Sequence, residues 1–506
     1  MAKILSLLLA VLPLSLALST TPLYPEFDAS DTRPLVESNK LCRMLTRSRL
    51  LHHAGYFQSF AVGSKDGNRG FGGIGHNATV AYLFNEVSKL SEWYDVYLQP
   101  FSERYSGAIG SFVVDGDVEV FYAARGSPSV KNLKAELGVA KGDGCNSSDF
   151  GSSLAGKIVL LQRGNCTITL KSQLGRAAGA AAVVVYNSVL GTVLDGRVLD
   201  VPNLVPTGAM GMHAGLGLVK RINRGEILIG EMNIDSFSEM RNTVNVIAET
   251  KTGNKSNVIM VGAHSDSVPL GPGINDNGSG SISILEVLLQ LKNFKTNNAI
   301  RFGFFSAEEF GLLGAHYYVN QLTPDENLKI AMYLNFDMIA SPNYIFGIYD
   351  GDGSSFNLTG PAGSNLIEYT FEAYYKGAGL KSVPTAFTGR SDYGPFLEAN
   401  IPSGGLFTGA EGIKTLQEAA MFGGEAGEPY DVNYHQPEDM TKNCNVGAWI
   451  ANTKAVADII AKYGRSTEGF PERKLIKKKA KREGWSHGTH GHNHDHSEGG
   501  CGDGLY

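Results

Sequence analysis

From about residue 243, the chain alternates short apolar runs with segments in which apolar residues recur at helical spacing. Strands that alternate with helices pair mainly in parallel. The rhythm therefore predicts an α/β fold, with a mixed, largely parallel central sheet and helices on both faces. The predicted strands and helices, in chain order, are Val258–Ala263, a helix at Ser279–Leu291 with Ser279 as its N-cap, Ala299–Phe305, a helix at Gly311–Leu322, and Ala331–Phe336.

The chain before this region has a less regular pattern. Its two helical patterns are followed by strand-like stretches, in the order Asn39–Tyr56, Ala78–Trp93, Tyr94–Gln99, Gly107–Val114 and Val118–Ala123. From about Val130 the pattern of apolar and polar residues changes. Buried-strand patterns at Lys157–Gln162 and Ala178–Tyr186 flank an amphipathic, helix-like segment at Thr167–Ala177. This change of pattern indicates a small module of its own.

The two ends of the chain differ from the rest. Residues 1–19 have Lys3 before an apolar run and small residues after it, which is typical of a signal peptide. The run is short for a membrane span and contains Pro13, so we expect no stable membrane anchor. Residues 466–506 carry a basic stretch and then a His-rich stretch without apolar spacing, so we expect a disordered tail.

Secretion is the compartment that these features favour, with vacuolar delivery as the lesser alternative. Six N-glycosylation sequons agree with it, at Asn77, Asn146, Asn165, Asn254, Asn277 and Asn357. We expect Asn277 to be unmodified for lack of space. Among the five cysteines, Cys145 and Cys166 are close in sequence and are candidates for a bridge, and Cys42 and Cys444 are candidates for a second.

Composition excludes two broad classes of protein. With 506 residues, 42% of them hydrophobic, the chain has ample material for large cores and is not disordered as a whole. Its formal net charge of −6 argues against a nucleic-acid partner, since such a surface is usually basic.

Ionisable side chains follow the predicted strands at their carboxyl ends, which is the edge where open α/β sheets bind ligands. They occur in the short motifs HSD, GINDNGSG, SAEEFGLLG, NFDMI and YHQPED. Imidazole and carboxylate donors without a thiolate suit catalytic Zn²⁺, with Mn²⁺ or Co²⁺ as alternatives. Two metals would need one carboxylate between them, and one of two adjacent glutamates can remain a base. Each motif alone is common, and the ordered set favours a metal site.

The ordered motifs, continued by GRSDYGPF, resemble those of zinc metallopeptidase family 28 over about residues 240–450. Within this family the chain is similar to the secreted fungal leucine aminopeptidases that carry an inserted protease-associated domain. The string GKIVLLQRGNCT with AGAAAVVVYN resembles that domain, which is β-rich. The resemblance implies the following boundaries: residues 20–129 start the peptidase domain, with a candidate propeptide at their beginning, 130–235 form the protease-associated domain, and 236–465 complete the catalytic domain.

The resemblance also implies roles for individual residues. Two Zn²⁺ per chain would be bridged by Asp276, with His264 and Asp337 on one metal and Glu309 and His435 on the other. Glu308 would be the general base, Tyr434 would donate to the oxyanion, and Asp266 would orient His264. The main-chain carbonyl near Arg390 would help to hold a free α-amino group, and Phe407 would line the substrate pocket or pack in the core. The peptide bond Asp276–Asn277 would be cis, as in relatives with this loop.

The function expected from the resemblance is removal of N-terminal, leucine-like residues from peptides by a monomeric enzyme. A glutaminyl cyclase-like acyltransferase is an alternative on the same fold, against which the filled two-metal set argues. A carboxypeptidase would share the ligands. A non-catalytic binding homologue is the remaining alternative, against which the intact ligand set argues.

Overall fold

Strands from both predicted domains join in one continuous sheet. The computed structural model describes residues 31–188, 196–199 and 201–474. Its strands, in chain order, are β1 Tyr94–Val114, β2 Asp117–Glu119, β3 Phe121–Ala123, β4 Val130–Val139, β5 Ile158–Gln162, β6 Ala182–Tyr186, β7 Thr207–Met210, β8 Ile229–Thr250, β9 Asn254–His264, β10 Asn298–Phe305, β11 Ile330–Phe336, β12 Gly347–Tyr349, β13 Val383–Thr385 and β14 Ser403–Phe407.

Helices lie between these strands and before the first of them. In chain order they are α1 Ser38–Met44, α2 Arg47–Val62, α3 Ile74–Ser88, α4 Ile168–Ala177, α5 Met212–Asn223, α6 Gly280–Leu291, α7 Leu313–Asn320, α8 Pro324–Lys329, α9 Ser364–Gly377, α10 Tyr393–Glu398, α11 Leu416–Phe422 and α12 Val446–Arg465. The predicted fold class, a mixed and largely parallel α/β sheet with an added module, is confirmed.

The main part of the sheet has the strand order β13-β12-β14-β11-β9-β10-β8. Its four central strands β14, β11, β9 and β10 are parallel, whereas β12 runs antiparallel to β14 and parallel to β13, and β8 runs antiparallel to β10. The central strands are buried along nearly their whole length, which explains their continuous apolar runs. Because parallel strands end at the same edge, the loops after β9, β10, β11 and β14 meet there.

A long two-stranded ribbon leads from the main sheet to the smaller module. β1 and β8 are 21 and 22 residues long and pair antiparallel from Tyr94↔Thr250 to Val114↔Gly230. The prediction of two separate strands at Tyr94–Gln99 and Gly107–Val114 was therefore wrong. Between them the buried residues Phe101 and Tyr105 stand four positions apart, so the sequence shows no period-two alternation, but main-chain pairing continues through this part of the ribbon.

The smaller module is a second run of strands, β4-β5-β6-β7-β3, in which β4 to β7 are parallel. It encloses its own apolar core around β5 and β6. The predicted bridge Cys145–Cys166 is present in this module, with an S–S distance of 2.04 Å. The second predicted bridge was wrong, since Cys42 and Cys444 are both free thiols.

Three helix predictions needed correction. The segment Asn39–Tyr56 forms α1 and α2, because the hydroxyl of Thr46 accepts a bond from Arg49 N and starts a new helix there. The helix predicted at Gly311–Leu322 is shorter, at Leu313–Asn320. Ser279 precedes α6 but does not cap it, since its hydroxyl donates to the Asn275 carbonyl and accepts from Ile339 N.

The largest apolar core lies between the main sheet and the layer of α6 and α12. From Arg33 onward the described chain forms one compact unit. Phe470 packs on Tyr463, and Arg473 donates to the Ile330 carbonyl, so the first residues of the predicted tail contact this unit. The predicted signal peptide and residues 475–506 lie outside the described residues. Within the described ranges, none of the helices is long and apolar enough to cross a membrane.

Candidate active site

The predicted ligands lie together at the carboxyl edge of the main sheet. His264 is the last residue of β9, and Glu308 and Asp337 follow the ends of β10 and β11. Since β9 lies between β10 and β11, its last side chain is flanked by the loops of both neighbours. Asp276 arrives on the loop between β9 and α6, and His435 on the segment before α12. The structure thus brings these residues to one place.

Two groups of three side chains share the carboxylate of Asp276. In the first, His264 Nε2 lies 3.3 Å from Asp276 Oδ1 and 3.5 Å from Asp337 Oδ1. In the second, His435 Nε2 lies 3.1 Å from both Asp276 Oδ2 and Glu309 Oε2. Each of the two oxygens of Asp276 therefore faces a different imidazole. This arrangement can hold two cations with Asp276 between them.

The donor atoms of these groups fit a cation better than they fit each other. All five side chains are less than one-tenth exposed. His264 Nε2, Asp337 Oδ1 and Glu309 Oε1 are fully buried and have no hydrogen-bond partner. Buried polar atoms are normally paired, because an unpaired one costs about 1–3 kcal/mol. These unpaired atoms belong to members of the two groups, so the residues present fit metal ions.

The pKa values in this region also indicate a site for cations. Burial raises the pKa of Glu308 well above its usual value; the charge of His264 opposes this rise, and Glu309 and Asp337 add to it. Burial would lower the pKa of His435, but the carboxylates of Glu309 and Asp276 outweigh it and raise the pKa to about 10. The buried site thus contains more carboxylates than imidazoles. A bound cation would stabilise the ionised forms of these carboxylates.

Strained backbone presents several of these side chains. Ala307, Met338 and His435 have φ of 60°, 46° and 56°, in the left-handed region that non-glycine residues rarely adopt. His435 belongs to the second group, Met338 follows Asp337 of the first group, and Ala307 precedes Glu308. The bond Asp276–Asn277 is cis, as expected. Asn277 is completely buried, with its side chain bonded to Phe336 O and Gly280 N, which agrees with the expectation that its sequon is unmodified.

A second layer of carboxylates fixes the loops that carry the ligands. Asp266 Oδ1 lies 3.5 Å from His264 Nδ1 and accepts a bond from Glu308 N at 3.1 Å. Asp439 accepts from the main-chain N–H groups of Asn275 and Asp276 at 2.7 and 3.0 Å. Asp266 thus lies where the sequence placed it. Asp439 was missed, although it stands in the motif YHQPED.

Two more neighbours of Asp337, Ser391 and Asp392, were not predicted from the sequence, although both lie in the quoted motif GRSDYGPF. Ser391 donates to Asp337 Oδ2 at 2.6 Å and accepts from Asn335, which leaves Asp337 Oδ1 facing His264. Asp392 is completely buried, and neither of its carboxylate oxygens has a hydrogen-bond partner. Burial raises the pKa of Asp392 well above its usual value.

Arg69 was also missed, because a lone arginine in a Gly-rich stretch carries no metal-site signal. Its guanidinium is completely buried and donates to the carbonyls of Ser265, Pro272 and Gly273. It also lies over the ring of Phe57 at 5.0 Å. Arg69 thereby joins both ends of the loop between His264 and Asp276 to helix α2.

A cavity of about 110 Å³ opens beside the two groups. Its wall includes Glu308, Tyr434, Arg390 and Phe407, so each predicted catalytic or pocket residue lines it. The ring of Tyr434 stacks on that of His435 at 3.8 Å, and its hydroxyl accepts a bond from Arg390 at 3.1 Å. Phe407 lines the cavity and also packs against an apolar core cluster that contains Tyr349 and Tyr393, so both alternatives stated for it remain open.

Comparison with known proteins decides the family. Residues 245–460 match the model of peptidase family M28, and residues 133–218 match that of the PA domain. The chain is 48% identical to leucine aminopeptidase 2 of Trichophyton rubrum over 444 residues, which cover 87% of this chain and 89% of that protein. The chain belongs to peptidase family M28. It is therefore a peptide hydrolase with a protease-associated domain.

Two further comparisons agree with this assignment to peptidase family M28. The chain is 46% identical to a probable leucine aminopeptidase 2 of Aspergillus fumigatus, over 88% of this chain and 89% of that protein. Among solved structures, a zinc aminopeptidase from Bacillus subtilis matches with a TM-score of 0.64 and 26% identity, over 85% of this chain and 96% of that chain.

Proposed function

We propose that this M28 peptidase is a secreted aminopeptidase with two zinc ions, which removes N-terminal, leucine-like residues from peptides. The observation that carries the proposal is the pair of buried three-residue groups that share Asp276 and contain buried donor atoms without hydrogen-bond partners. The names of the relatives support the same activity.

The metal ligands in this proposal are those of the two groups. His264 and Asp337 would hold one ion, Glu309 and His435 would hold the other, and the carboxylate of Asp276 would be shared by both. Zinc bound there would polarise the scissile carbonyl and provide a nucleophilic water at neutral pH. Asp266 orients His264 through Nδ1, as outer carboxylates commonly do for metal-binding histidines.

Glu308 is the proposed general base. It lines the cavity next to both groups but is not needed as a ligand of either, so its carboxylate is left to exchange a proton with water and substrate. It accepts the proton of the attacking water and passes it to the leaving amine. Tyr434 donates its O–H to the oxygen of the scissile carbonyl as negative charge develops there.

Restriction to a free N-terminus follows from where the carboxylates lie. Glu308 and Asp337 line the cavity together with the main chain at Arg390, and an ammonium group would be held between them. The first side chain of the substrate then lies against an apolar part of the wall, which includes Met338, Phe407 and Ala386. This wall suits a leucine-like residue better than a charged one.

Secretion is supported by features of both chain and fold. The disulfide Cys145–Cys166 is typical of a protein that folds in an oxidising compartment. Asn77, Asn146, Asn165 and Asn357 are exposed, so their sequons are accessible for glycosylation. These observations agree with the predicted signal peptide of residues 1–19.

A carboxypeptidase is the second candidate, because it would share the ligands. It would need a cation in the cavity to hold the carboxylate at the C-terminus of its substrate. Among the described residues of the cavity wall, the cationic guanidinium is that of Arg390, which is engaged by Glu411 at 2.9 Å and by Tyr434. The geometry therefore favours an amine over a carboxylate at the end of the site.

One assay separates these activities. The purified full chain is offered leucyl-p-nitroanilide, N-acetyl-leucyl-p-nitroanilide, a glutaminyl peptide, and an N-blocked peptide with a free C-terminus, each with and without a chelator. We expect chelator-sensitive hydrolysis of the first substrate alone, and about two zinc ions per chain by metal analysis. Cyclisation of the glutaminyl peptide, or cleavage of the blocked peptide instead, would refute the proposal.

A further inference from the structure

We infer that Glu411 is a positioning residue for the reaction: it fixes the guanidinium of Arg390, which in turn directs the hydroxyl hydrogen of Tyr434 towards the scissile carbonyl. This inference rests on the proposed function, in which Tyr434 donates to the developing oxyanion. It assigns a role to a residue that is neither a metal ligand nor a proposed contact of the substrate.

The three side chains form a continuous hydrogen-bonded row at the cavity. Arg390 donates to both oxygens of Glu411, at 2.9 and 3.3 Å, in the two-pronged geometry that gives arginine–carboxylate pairs their directionality. The same guanidinium donates to the hydroxyl oxygen of Tyr434 at 3.1 Å. The side chains of Arg390 and Glu411 are only 32% and 20% exposed, which limits competition from water.

The chemistry of the donors gives this row a direction. A guanidinium has donors and no acceptor, so the bond from Arg390 occupies a lone pair of the phenol oxygen. The hydrogen of Tyr434 must then point away from Arg390. Tyr434 and Arg390 both line the cavity that contains Glu308, so Arg390 biases the phenol to act as a donor within the site. An oxyanion is stabilised by such a donor only when its orientation is set in advance.

The loops that carry the row are held on several sides. The loop of Glu411 pairs with the segment leading to Tyr434, through Tyr430 N to Gly412 O and Asp431 N to Ala410 O. Gly409 lies between this loop and the ring of Tyr430, at φ +95°, where an added Cβ would approach the ring to 2.3 Å. The distance between Glu411 and Tyr434 is therefore fixed by main-chain pairing.

Arg390 is held by its neighbours in the same way. Gly389 N donates to the hydroxyl of Tyr393, and Ser391 donates to Asp337. The main chain on both sides of Arg390 is thus tied to α10 and to a proposed zinc ligand. A guanidinium on such a support reaches Tyr434 reproducibly, provided that Glu411 fixes its rotamer.

Glu411 remains ionised in this environment. Burial would raise its pKa, but the charge of Arg390 outweighs burial and lowers it, with a further contribution from Arg163 of the protease-associated domain. A charged carboxylate therefore holds the same guanidinium nitrogen, Nη2, that donates to Tyr434. The hydrogen-bonded row thus extends from Glu411, on which the charge of Arg163 acts, to Tyr434 on the cavity wall.

A double-mutant cycle on the zinc-loaded full chain tests the inference. We measure kcat and KM for leucyl-p-nitroanilide in the wild type, Glu411→Gln, Tyr434→Phe and the double variant. Tyr434→Phe should lower kcat by about 10²-fold, as expected for loss of one oxyanion donor. Glu411→Gln should lower kcat by about tenfold with little change in KM, and should have almost no further effect in the Tyr434→Phe background.

The matched control is Glu226→Gln, which neutralises another arginine partner, at 2.8 Å from Arg221 and far in sequence from the site. It should leave kcat and KM unchanged. Zinc content and the thermal midpoint are measured for every variant. If Glu411→Gln loses zinc or unfolds, Arg390→Met replaces it in the same cycle with the same expected pattern.

The outcomes separate the inference from the function on which it rests. If the wild type does not hydrolyse leucyl-p-nitroanilide, the proposed function fails, and the inference with it. If the wild type is active but Glu411→Gln leaves kcat unchanged, raises only KM, or costs the same factor in the Tyr434→Phe background, the inference alone is overturned.

Discussion

At the scale of single residues, two adjacent glutamates have different surroundings. Glu309 Oε2 lies 3.1 Å from His435 Nε2 and belongs to one three-residue group, whereas Glu308 belongs to neither group and contacts His264 Nε2 only at 3.8 Å. One turn of chain after β10 thus provides both a candidate ligand and a candidate base. The distinction can be tested by removing each charge in turn.

Glu308→Gln should retain both zinc ions and lose most turnover, by about 10²–10⁴-fold, because it removes the general base but no ligand. Glu309→Gln should instead weaken metal binding, because a neutral amide is a poorer ligand than a carboxylate. Metal analysis after dialysis against a weak chelator distinguishes the two. If Glu308→Gln loses a zinc ion and Glu309→Gln does not, the two roles are reversed.

The buried imidazole of His76 makes the free energy of unfolding depend on pH in the acid range. It is completely buried, with Nε2 at 3.0 Å from Ser265 Oγ. Its pKa is lowered from 6.5 to about 4, chiefly by burial; the charge of Asp266 opposes this shift, and the charges of Arg69 and His264 add to it. The folded protein therefore holds this ring neutral where the unfolded chain would protonate it, so its contribution to stability is present above pH 6.5 and is lost as the pH falls towards 4.

His76→Gln should remove that dependence. The free energy of unfolding of the wild type should fall relative to that of the variant by about 2 kcal/mol between pH 6.5 and pH 5, at about 1.4 kcal/mol per pH unit. Urea unfolding of both proteins at several pH values measures this difference, from which acid effects common to both cancel. A constant difference across that pH range would contradict the role of His76.

At the scale of elements, the loop between β9 and α6 contains one π-helical turn, Ile274–Ser279. Side chains from elsewhere in the sequence bind the rest of its main chain: Arg69, and Asp439 from the segment before α12. Two distant parts of the sequence therefore decide where Asp276 lies. The helical and strand patterns were visible in sequence because they depend on local spacing, whereas these contacts do not.

Arg69→Met should destabilise this loop strongly. The change leaves the carbonyls of Ser265, Pro272 and Gly273 without their buried donor, at about 1–3 kcal/mol for each unpaired group. We expect a loss of at least about 3 kcal/mol in the free energy of unfolding and faster loss of zinc. Arg104→Met is the control, because Arg104 is exposed and contacts only the Ser238 hydroxyl at 3.1 Å. Equal stability of the two variants would refute this role.

At the scale of the whole molecule, the smaller module contacts the site through Arg125. This residue follows β3, a strand of that module, and its main chain pairs with residues 196–198. Its guanidinium is buried, donates to the Glu309 carbonyl at 3.5 Å and lies over the ring of Phe310 at 5.0 Å. The smaller module thus contacts the loop that carries both glutamates.

Arg125→Ala should loosen that loop while the inserted domain stays folded. We expect release of zinc to a chelator to become about tenfold faster, equivalent to about 1.4 kcal/mol of lost support. Stopped-flow transfer of zinc to an indicator measures the rate. Arg221→Ala is the control, since Arg221 lies in the same domain but at its surface. An unchanged release rate in Arg125→Ala would show that the two domains are not coupled through this contact.

The sequence by itself determined the elements and much of the chemistry. Apolar runs of β9, β10 and β11 predicted buried parallel strands, because such strands are covered on both faces, and the carboxyl ends of parallel strands necessarily converge. The sequence alone therefore predicts one edge of the sheet as the location of His264, Glu308, Glu309 and Asp337. The pairing of Cys145 with Cys166 was likewise a short-range feature.

Only the tertiary structure decided how the ribbon, the loops and the outer layer come together. The middle of β1 has no period-two apolar alternation, so its continuity depends on pairing with β8, more than a hundred residues away in the sequence. Arg69, Asp439 and Glu411 act through a few hydrogen bonds to main-chain or side-chain atoms of other segments. Such contacts leave no periodic signal in the sequence, because one polar residue can meet its partner at any separation along the chain.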